Sequence, residues 1–198
     1  MDSYADLFLS PLGLTPLSLE DLPNEARAFR GLLSPTFRPQ CAVTIRDFGE
    51  VAEAEVVAVG LADMHPLYQH PETPSGWREV EAIRRPALEN FRAEMVEVRP
   101  ESLDDAHDRD PSIVRRDGMI AFGEVRWGSG YHRFEAYDDH EIWLENPCHE
   151  RFFRAIWRLA VDVFLEDWSR RVLDPRFFGD LTRREDDGPS PRTRRRRS

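Results

Sequence analysis

Side chains suited to acid–base chemistry gather around a predicted hairpin in the second half of the chain. Two histidines and two carboxylates occur there at short spacing: His132, Glu135, Asp139 and His140. A histidine within reach of a carboxylate is a common pair for general acid–base catalysis. The same residue types also end ordinary hairpins, so two interpretations stay open. One is an acid–base or metal-assisted hydrolase, and the other is a solvated turn.

The rest of the chain lacks most other catalytic signatures. All 27 basic residues are arginines, which excludes a Schiff-base lysine and the lysine of a phosphate-binding loop. Arginine stays protonated at ordinary pH, so it clamps anions but does not act as a base. No GxSxG nucleophile motif is present. The absence of lysine is consistent with GC-rich coding or with selection against amine-directed modification.

Metal and cofactor motifs are equally sparse. The run Asp104–Asp110 is rich in aspartate, but it lacks the glycine and the terminal glutamate of a calcium-binding loop. His65 and His70 would need two further ligands to hold zinc, and the chain has no CxxC or HxxxH pair to supply them. The two cysteines, Cys41 and Cys148, are expected to be free thiols in a reducing compartment. We therefore predict no metal and no cofactor.

Charge divides the chain into two parts. The net charge is −10, but Arg183–Ser198 contains seven arginines against three carboxylates, so the rest of the chain carries −14. An acidic body repels nucleic acid and favours a basic protein partner. The tail has the opposite sign and could contact phosphate. The candidates for phosphate contact are Arg192, Arg194, Arg195, Arg196 and Arg197.

Aromatic and acidic residues near the hairpin form the predicted binding surface. Aromatic side chains are enriched at protein interfaces and often dominate their affinity. The residues concerned are Trp127, Tyr131, Tyr137, Asp138, Asp139 and Glu141. With no coherent catalytic constellation, the leading hypothesis is a non-enzymatic acidic protein-binding module, comparable to immunity, inhibitor or adaptor proteins. The hydrolase is the alternative, and nucleic-acid association through the tail is a third interpretation.

Periodicity and turn residues predict the elements that must position these side chains. Apolar residues at helical spacing predict a short helix over Asn24–Leu33 and a second helix after Ser75 that Pro86 kinks or divides. Asn146-Pro147 opens a third helix, which the apolar period extends to about Arg171. Alternating residues predict the following strands: Cys41–Arg46, Val51–Val59, Met95–Val98, Gly118–Trp127 and Tyr131–Asp138.

These elements predict a single α+β domain over 1–182. Four or five antiparallel strands would pack against the kinked middle helix and the long C-terminal helix. Residues 1–23 are expected to wrap the domain as extended chain or a short turn. The stretches 62–76 and 99–117 are expected to be loops, and the Arg-rich tail 183–198 is expected to be disordered. No stretch is apolar enough to span a bilayer and Met1–Ser10 makes a poor signal peptide, so we expect a cytoplasmic protein.

Short motifs along the chain resemble a broad group of small uncharacterised bacterial proteins. Their pattern is a "TF-x-P" strand, a "DG" strand, a glycine turn, a "YH" strand and a closing helix. The matching residues here are Thr36–Pro39, Asp117-Gly118, Gly128–Gly130, Tyr131-His132 and the helix from Asn146. The resemblance implies an α+β fold. It implies no activity, because the group has none assigned.

Overall fold

Six antiparallel strands form one sheet in the computed structural model, which describes residues 4–35, 40–59, 77–106, 119–137 and 146–164. The strands are β1 (Arg27–Pro35), β2 (Gln40–Asp47), β3 (Ala52–Val59), β4 (Trp77–Ala82), β5 (Met119–Trp127) and β6 (Gly130–Tyr137). Their order across the sheet is β4-β3-β2-β1-β5-β6. The described residues also form two α-helices, α1 (Arg85–Val98) and α2 (Pro147–Val163). The α+β prediction is confirmed, with six strands instead of four or five.

Both faces of this sheet are covered. Alternate residues of a strand point to opposite faces, so Phe29 and Leu33 of β1 face the two helices, whereas Arg30 and Leu32 face away from them. Short helical turns between Ala5 and Leu19 pack on that second face. Residues 1–23 were predicted to wrap the domain as extended chain or a short turn, and the described part of this segment consists largely of these helical turns. Within the described residues, no helix is both long and apolar enough to cross a bilayer.

The helical face is packed closely enough to need glycine at two places. A Cβ added to Gly31 would lie 2.8 Å from the ring of Trp157, and one added to Gly123 would lie 2.1 Å from the ring of Phe134. Phe134 in turn meets Phe152 edge to face, with ring centroids 5.0 Å apart. These contacts fix the positions of β5 and β6 relative to α2.

The predicted helix over Asn24–Leu33 is wrong, because most of that stretch is strand β1. It pairs with β2 on one side and with β5 on the other. A central strand buried on both faces does not show the simple alternation of a half-exposed strand. Ala28, Phe29, Leu32 and Leu33 therefore looked helical, although each is buried on one or other face of the sheet.

The middle of the chain also departs from the prediction. Trp77–Ala82 is strand β4 and not the first half of a helix. Pro86 does not break α1, because it lies in the first turn, where its missing N–H is not needed. Met95–Val98 is the last turn of α1 and not a strand.

The loop predicted over 99–117 is only partly a solvated loop. Residues 107–118 lie outside the described part. Of the described residues, Leu103 and Ala106 are buried, and Ala106 forms an isolated bridge with Ala136 of strand β6. The helix α2 begins after Asn146 as predicted. It ends at Val163, where Phe164 takes an extended conformation, so the predicted end near Arg171 is wrong. The predicted loop 62–76 lies outside the described residues.

Candidate functional site

The second face of the sheet carries a row of charged side chains beneath the N-terminal segment. At its centre lies Arg30, which is fully buried. Its Nε donates to Thr44 Oγ1 at 2.9 Å, and its Nη1 donates to Thr15 O and Glu124 Oε2, both at 2.7 Å. Its Nη2 pairs with Glu20. A buried guanidinium needs partners of this kind, because an unpaired buried charge is strongly destabilising.

Glu124 is equally buried and accepts from several donors. Besides Arg30, the backbone N–H of Leu17 donates to its Oε1 at 3.1 Å, and the Tyr131 hydroxyl donates to the same oxygen at 2.8 Å. Burial, together with the charge of Glu124, raises the pKa of Tyr131 well above its ordinary value. Glu124 therefore joins β1, β6 and the N-terminal segment, and Tyr131 belongs to this internal cluster.

Further ion pairs extend the row toward β3. Arg46 contacts Glu20 through Nε at 2.9 Å and Glu55 through Nη2 at 2.7 Å. Burial would raise the pKa of Glu20, but the hydrogen bonds and charges of Arg46 and Arg30 outweigh it and lower that pKa. Glu20 thus stays ionised and fastens the N-terminal segment to the sheet. These groups perform a structural role in the observed arrangement.

Two of the predicted acid–base residues, His132 and Glu135, lie in the described part of the chain, and they are not brought together. His132 faces the helices and Glu135 faces the opposite side of β6, because their partners in β5 are Val125 and Phe122. The Nε2 atom of His132 lies 2.6 Å from Leu103 O. Asp139 and His140 lie outside the described residues.

A second histidine, His149, has a closely related contact. Its Nε2 lies 2.6 Å from Asp104 O. A carbonyl oxygen only accepts, so this Nε2 carries a proton. Burial lowers the pKa of His149, outweighing the backbone hydrogen bond and the nearby charges of Asp104 and Asp105. With His132, it ties the segment after α1 to β6 and α2.

Metal-ligating residues do not converge in the described segments. No group of three or more histidine, cysteine or acidic side chains lies there in a geometry that could hold an ion. Cys41 is buried in the core, and burial raises the pKa of its thiol. The considered ligands His65 and His70 lie outside the described residues, and so does most of the acidic run after Asp105.

A groove of about 320 Å³ lies among the described residues where the end of α1 meets the beginning of β1 and the end of β5. Its floor is formed by Phe29, Met95 and Val125, all buried. Exposed residues form its rim and walls: Arg27, Val96, Arg99, Glu101 and Trp127. The groove therefore combines an apolar floor with a charged and aromatic rim.

Trp127 packs against the hairpin turn at this rim. Its ring lies over the backbone of Gly130, where an added Cβ would come within 2.4 Å of the ring. The side chain nevertheless remains 38% exposed. Of the other predicted binding residues, Tyr131 is engaged with Glu124, and the backbone of Tyr137 lies in β6. The other predicted binding residues, Asp138, Asp139 and Glu141, lie outside the described residues, and so do the tail arginines from Arg192.

Sequence reasoning identified Trp127 but missed Arg27 and Arg99. Arg27 is the first residue of a strand that was predicted as a helix, and Arg99 follows a helix whose last turn was predicted as a strand. A signal for Arg99 was available, since Pro100 follows it and favours the end of a helix. Comparison of the chain with protein-family models, curated proteins and solved structures returns no match.

Proposed function

We propose that this chain is a non-enzymatic protein-binding module, of the immunity, inhibitor or adaptor kind, which binds a basic protein partner. The observation that carries the proposal is the partly exposed Trp127 at the rim of the groove. Tryptophan is among the residues that most often dominate binding energy at protein interfaces. A ring held against Gly130 loses little conformational freedom on binding, which favours affinity.

The use of the reactive groups favours binding over catalysis. Glu124, Arg30 and Tyr131 stabilise the N-terminal segment, and His149 holds a backbone carbonyl. A catalytic group needs access to a substrate, whereas Glu124 and Arg30 are completely buried. The exposed part of the described chain instead offers the groove and a scattering of carboxylates.

The expectation of a basic partner follows from charge. The chain carries a net charge of −10, and exposed carboxylates of the described residues include Glu25, Glu50 and Glu81. Such a field attracts a positively charged protein and accelerates association. The attraction weakens as salt shortens the Debye length.

Affinity capture from the encoding organism tests the proposal, with the full chain as bait at low and at high salt. We expect a basic protein to be retained at low salt, and its retention to fall at high salt and with Trp127→Ala. The matched control is Leu19→Ala, which removes an apolar side chain that is more exposed and lies on the N-terminal segment. Absence of any specifically retained protein, or equal retention by both variants, contradicts the proposal.

A further inference from the structure

We infer that the groove between α1, β1 and β5 receives a segment of the partner in which an apolar side chain stands beside a carboxylate. This inference rests on the proposed function and adds the chemistry of the docking segment. The partner as a whole is expected to be basic, and the segment that enters the groove is expected to be locally acidic.

The floor and walls of the groove select the apolar part. The exposed apolar surface belongs mainly to Val96, which is 68% exposed, and to Trp127, above the buried floor of Phe29, Met95 and Val125. Covering such apolar surface with a partner's side chain is favourable by about 25 cal/mol per Å² removed from water. The wall formed by α1 is fixed, because Arg92 donates to both carboxylate oxygens of Asp47 at 2.6 and 2.8 Å.

The rim selects the acidic part. Arg27 and Arg99 are exposed. Arg27 stands across from Asp47 and its charge helps to lower the pKa of that carboxyl, which Arg92 already pairs, whereas Arg99 makes no ion pair among the described residues. A third arginine, Arg126, is turned toward the N-terminal segment, where its Nη1 donates to the backbone oxygens of Leu17 and Glu20. Only Glu101 opposes these charges in the lining. The rim is therefore locally positive on a chain that is negative overall.

The backbone at Arg99 supplies an independent argument. Arg99 has φ 52°, and among the described residues it is the one non-glycine residue with positive φ. It ends α1 in a left-handed conformation, where glycine is normally preferred. Holding arginine there costs about 1 kcal/mol relative to glycine. The helix therefore ends beside the groove on an arginine side chain, where glycine would leave none.

The test measures binding of two labelled peptides to the full chain by fluorescence polarisation. One contains Glu-Leu-Phe-Glu between glycines, and the other contains Arg-Leu-Phe-Arg in the same frame. The net charge of −10 favours the basic peptide, so tighter binding of the acidic peptide identifies the rim. We expect that order, with weaker binding of the acidic peptide as salt rises. Equal affinity, the reverse order or no binding of the acidic peptide overturns the inference.

Variants separate the role of Arg99 from simple loss of folding. Arg99→Gly is expected to melt at the same or a higher temperature, because glycine relieves the left-handed strain. It is nevertheless expected to weaken binding of the acidic peptide about two- to fivefold, as one exposed charge contact. The matched control Arg85→Ala removes an exposed arginine at the other end of α1 and is expected to leave affinity unchanged.

A captured partner distinguishes the inference from the proposed function. If that partner is lost with Trp127→Ala and weakened by Arg99→Gly, both statements gain support. If it is lost with Trp127→Ala but Arg99→Gly leaves its affinity unchanged, the acidic docking segment is wrong, while the binding module stands. If no partner is captured but the acidic peptide binds as expected, the groove chemistry holds and the proposed function fails.

Discussion

The buried pair of Arg30 and Glu124 gives the sharpest prediction about stability. Both side chains are fully buried, with Nη1 and Oε2 separated by 2.7 Å. Glu124→Leu would leave a buried guanidinium with one carboxylate, Glu20, and would remove the acceptor of Leu17 N and of the Tyr131 hydroxyl. Breaking a buried pair in this way costs about 3–5 kcal/mol. We expect a loss of that size in the free energy of unfolding.

The second half of this prediction concerns the double variant. Arg30→Met alone leaves Glu124 buried without its cation, so it is expected to be about as costly as Glu124→Leu. Replacing both partners removes both charges, and apolar replacement of a buried pair is often nearly neutral. The double variant Arg30→Met with Glu124→Leu is therefore expected to lose less free energy of unfolding than either single variant. A remaining loss of about 1–3 kcal/mol is expected for each donor left without its acceptor, the Leu17 N–H and the Tyr131 hydroxyl.

Urea unfolding, followed by circular dichroism and tryptophan fluorescence, measures these differences. The control is Glu97→Gln, which breaks an exposed pair with Arg151 and is expected to change stability by about 0–1 kcal/mol. A loss below about 1 kcal/mol for Glu124→Leu would refute the reasoning. Strict additivity of the two single changes would refute it as well, because paired groups in contact must couple.

Three other properties follow from burial. Burial lowers the pKa of His149 below its ordinary value of 6.5, so the neutral ring is the folded form. The neutral ring therefore contributes its full stability above pH 6.5, and this stability is lost as the pH falls from 6.5 through the lowered pKa of the folded state, because the unfolded chain then binds more protons. Urea midpoints should accordingly fall less steeply below pH 6.5 for His149→Gln than for the unchanged protein. Gly123→Ala places a Cβ against the ring of Phe134 and should cost about 1–3 kcal/mol in the same unfolding assay; an unchanged midpoint would count against the packing. In a thiol titration with Ellman's reagent, the half-buried Cys148 should react in the native protein and the buried Cys41 only after unfolding; immediate reaction of both thiols would contradict this.

Local sequence patterns predicted the elements whose signals are complete within a short stretch. The β5–β6 hairpin followed from strict alternation around Gly128–Gly130, and α2 followed from Asn146-Pro147 and a regular apolar period. In contrast, β1 was misread because the buried charge of Arg30 and the apolar residues beside it hide the period of the strand. The strand β4 was joined to α1 because the apolar positions of both elements fit one helical period.

The candidate site was predictable only in part for a related reason. Trp127 was identified because interface propensity belongs to the residue type and its place in a hairpin. Arg27 and Arg99 are 72 positions apart in the sequence, and only the packing of α1 beside β1 brings them to one groove. The pair Arg30 and Glu124 is separated by 94 positions. Patterns within a short stretch of sequence cannot predict an ion pair between residues so far apart along the chain.

The absence of lysine acquires a structural meaning at particular positions. Arg30 distributes its donors in three directions, from Nε to Thr44, from Nη1 to Glu124 and from Nη2 to Glu20. A lysine carries its three donors on one nitrogen, which could not span these acceptors from the same backbone position. Arg85 differs, because it is largely exposed and lies 3.6 Å from Glu89, a contact that lysine would make as well. The buried hydrogen bonds therefore require arginine at position 30. The absence of lysine from exposed positions such as 85 has no such local reason and needs a cause that acts on the whole sequence.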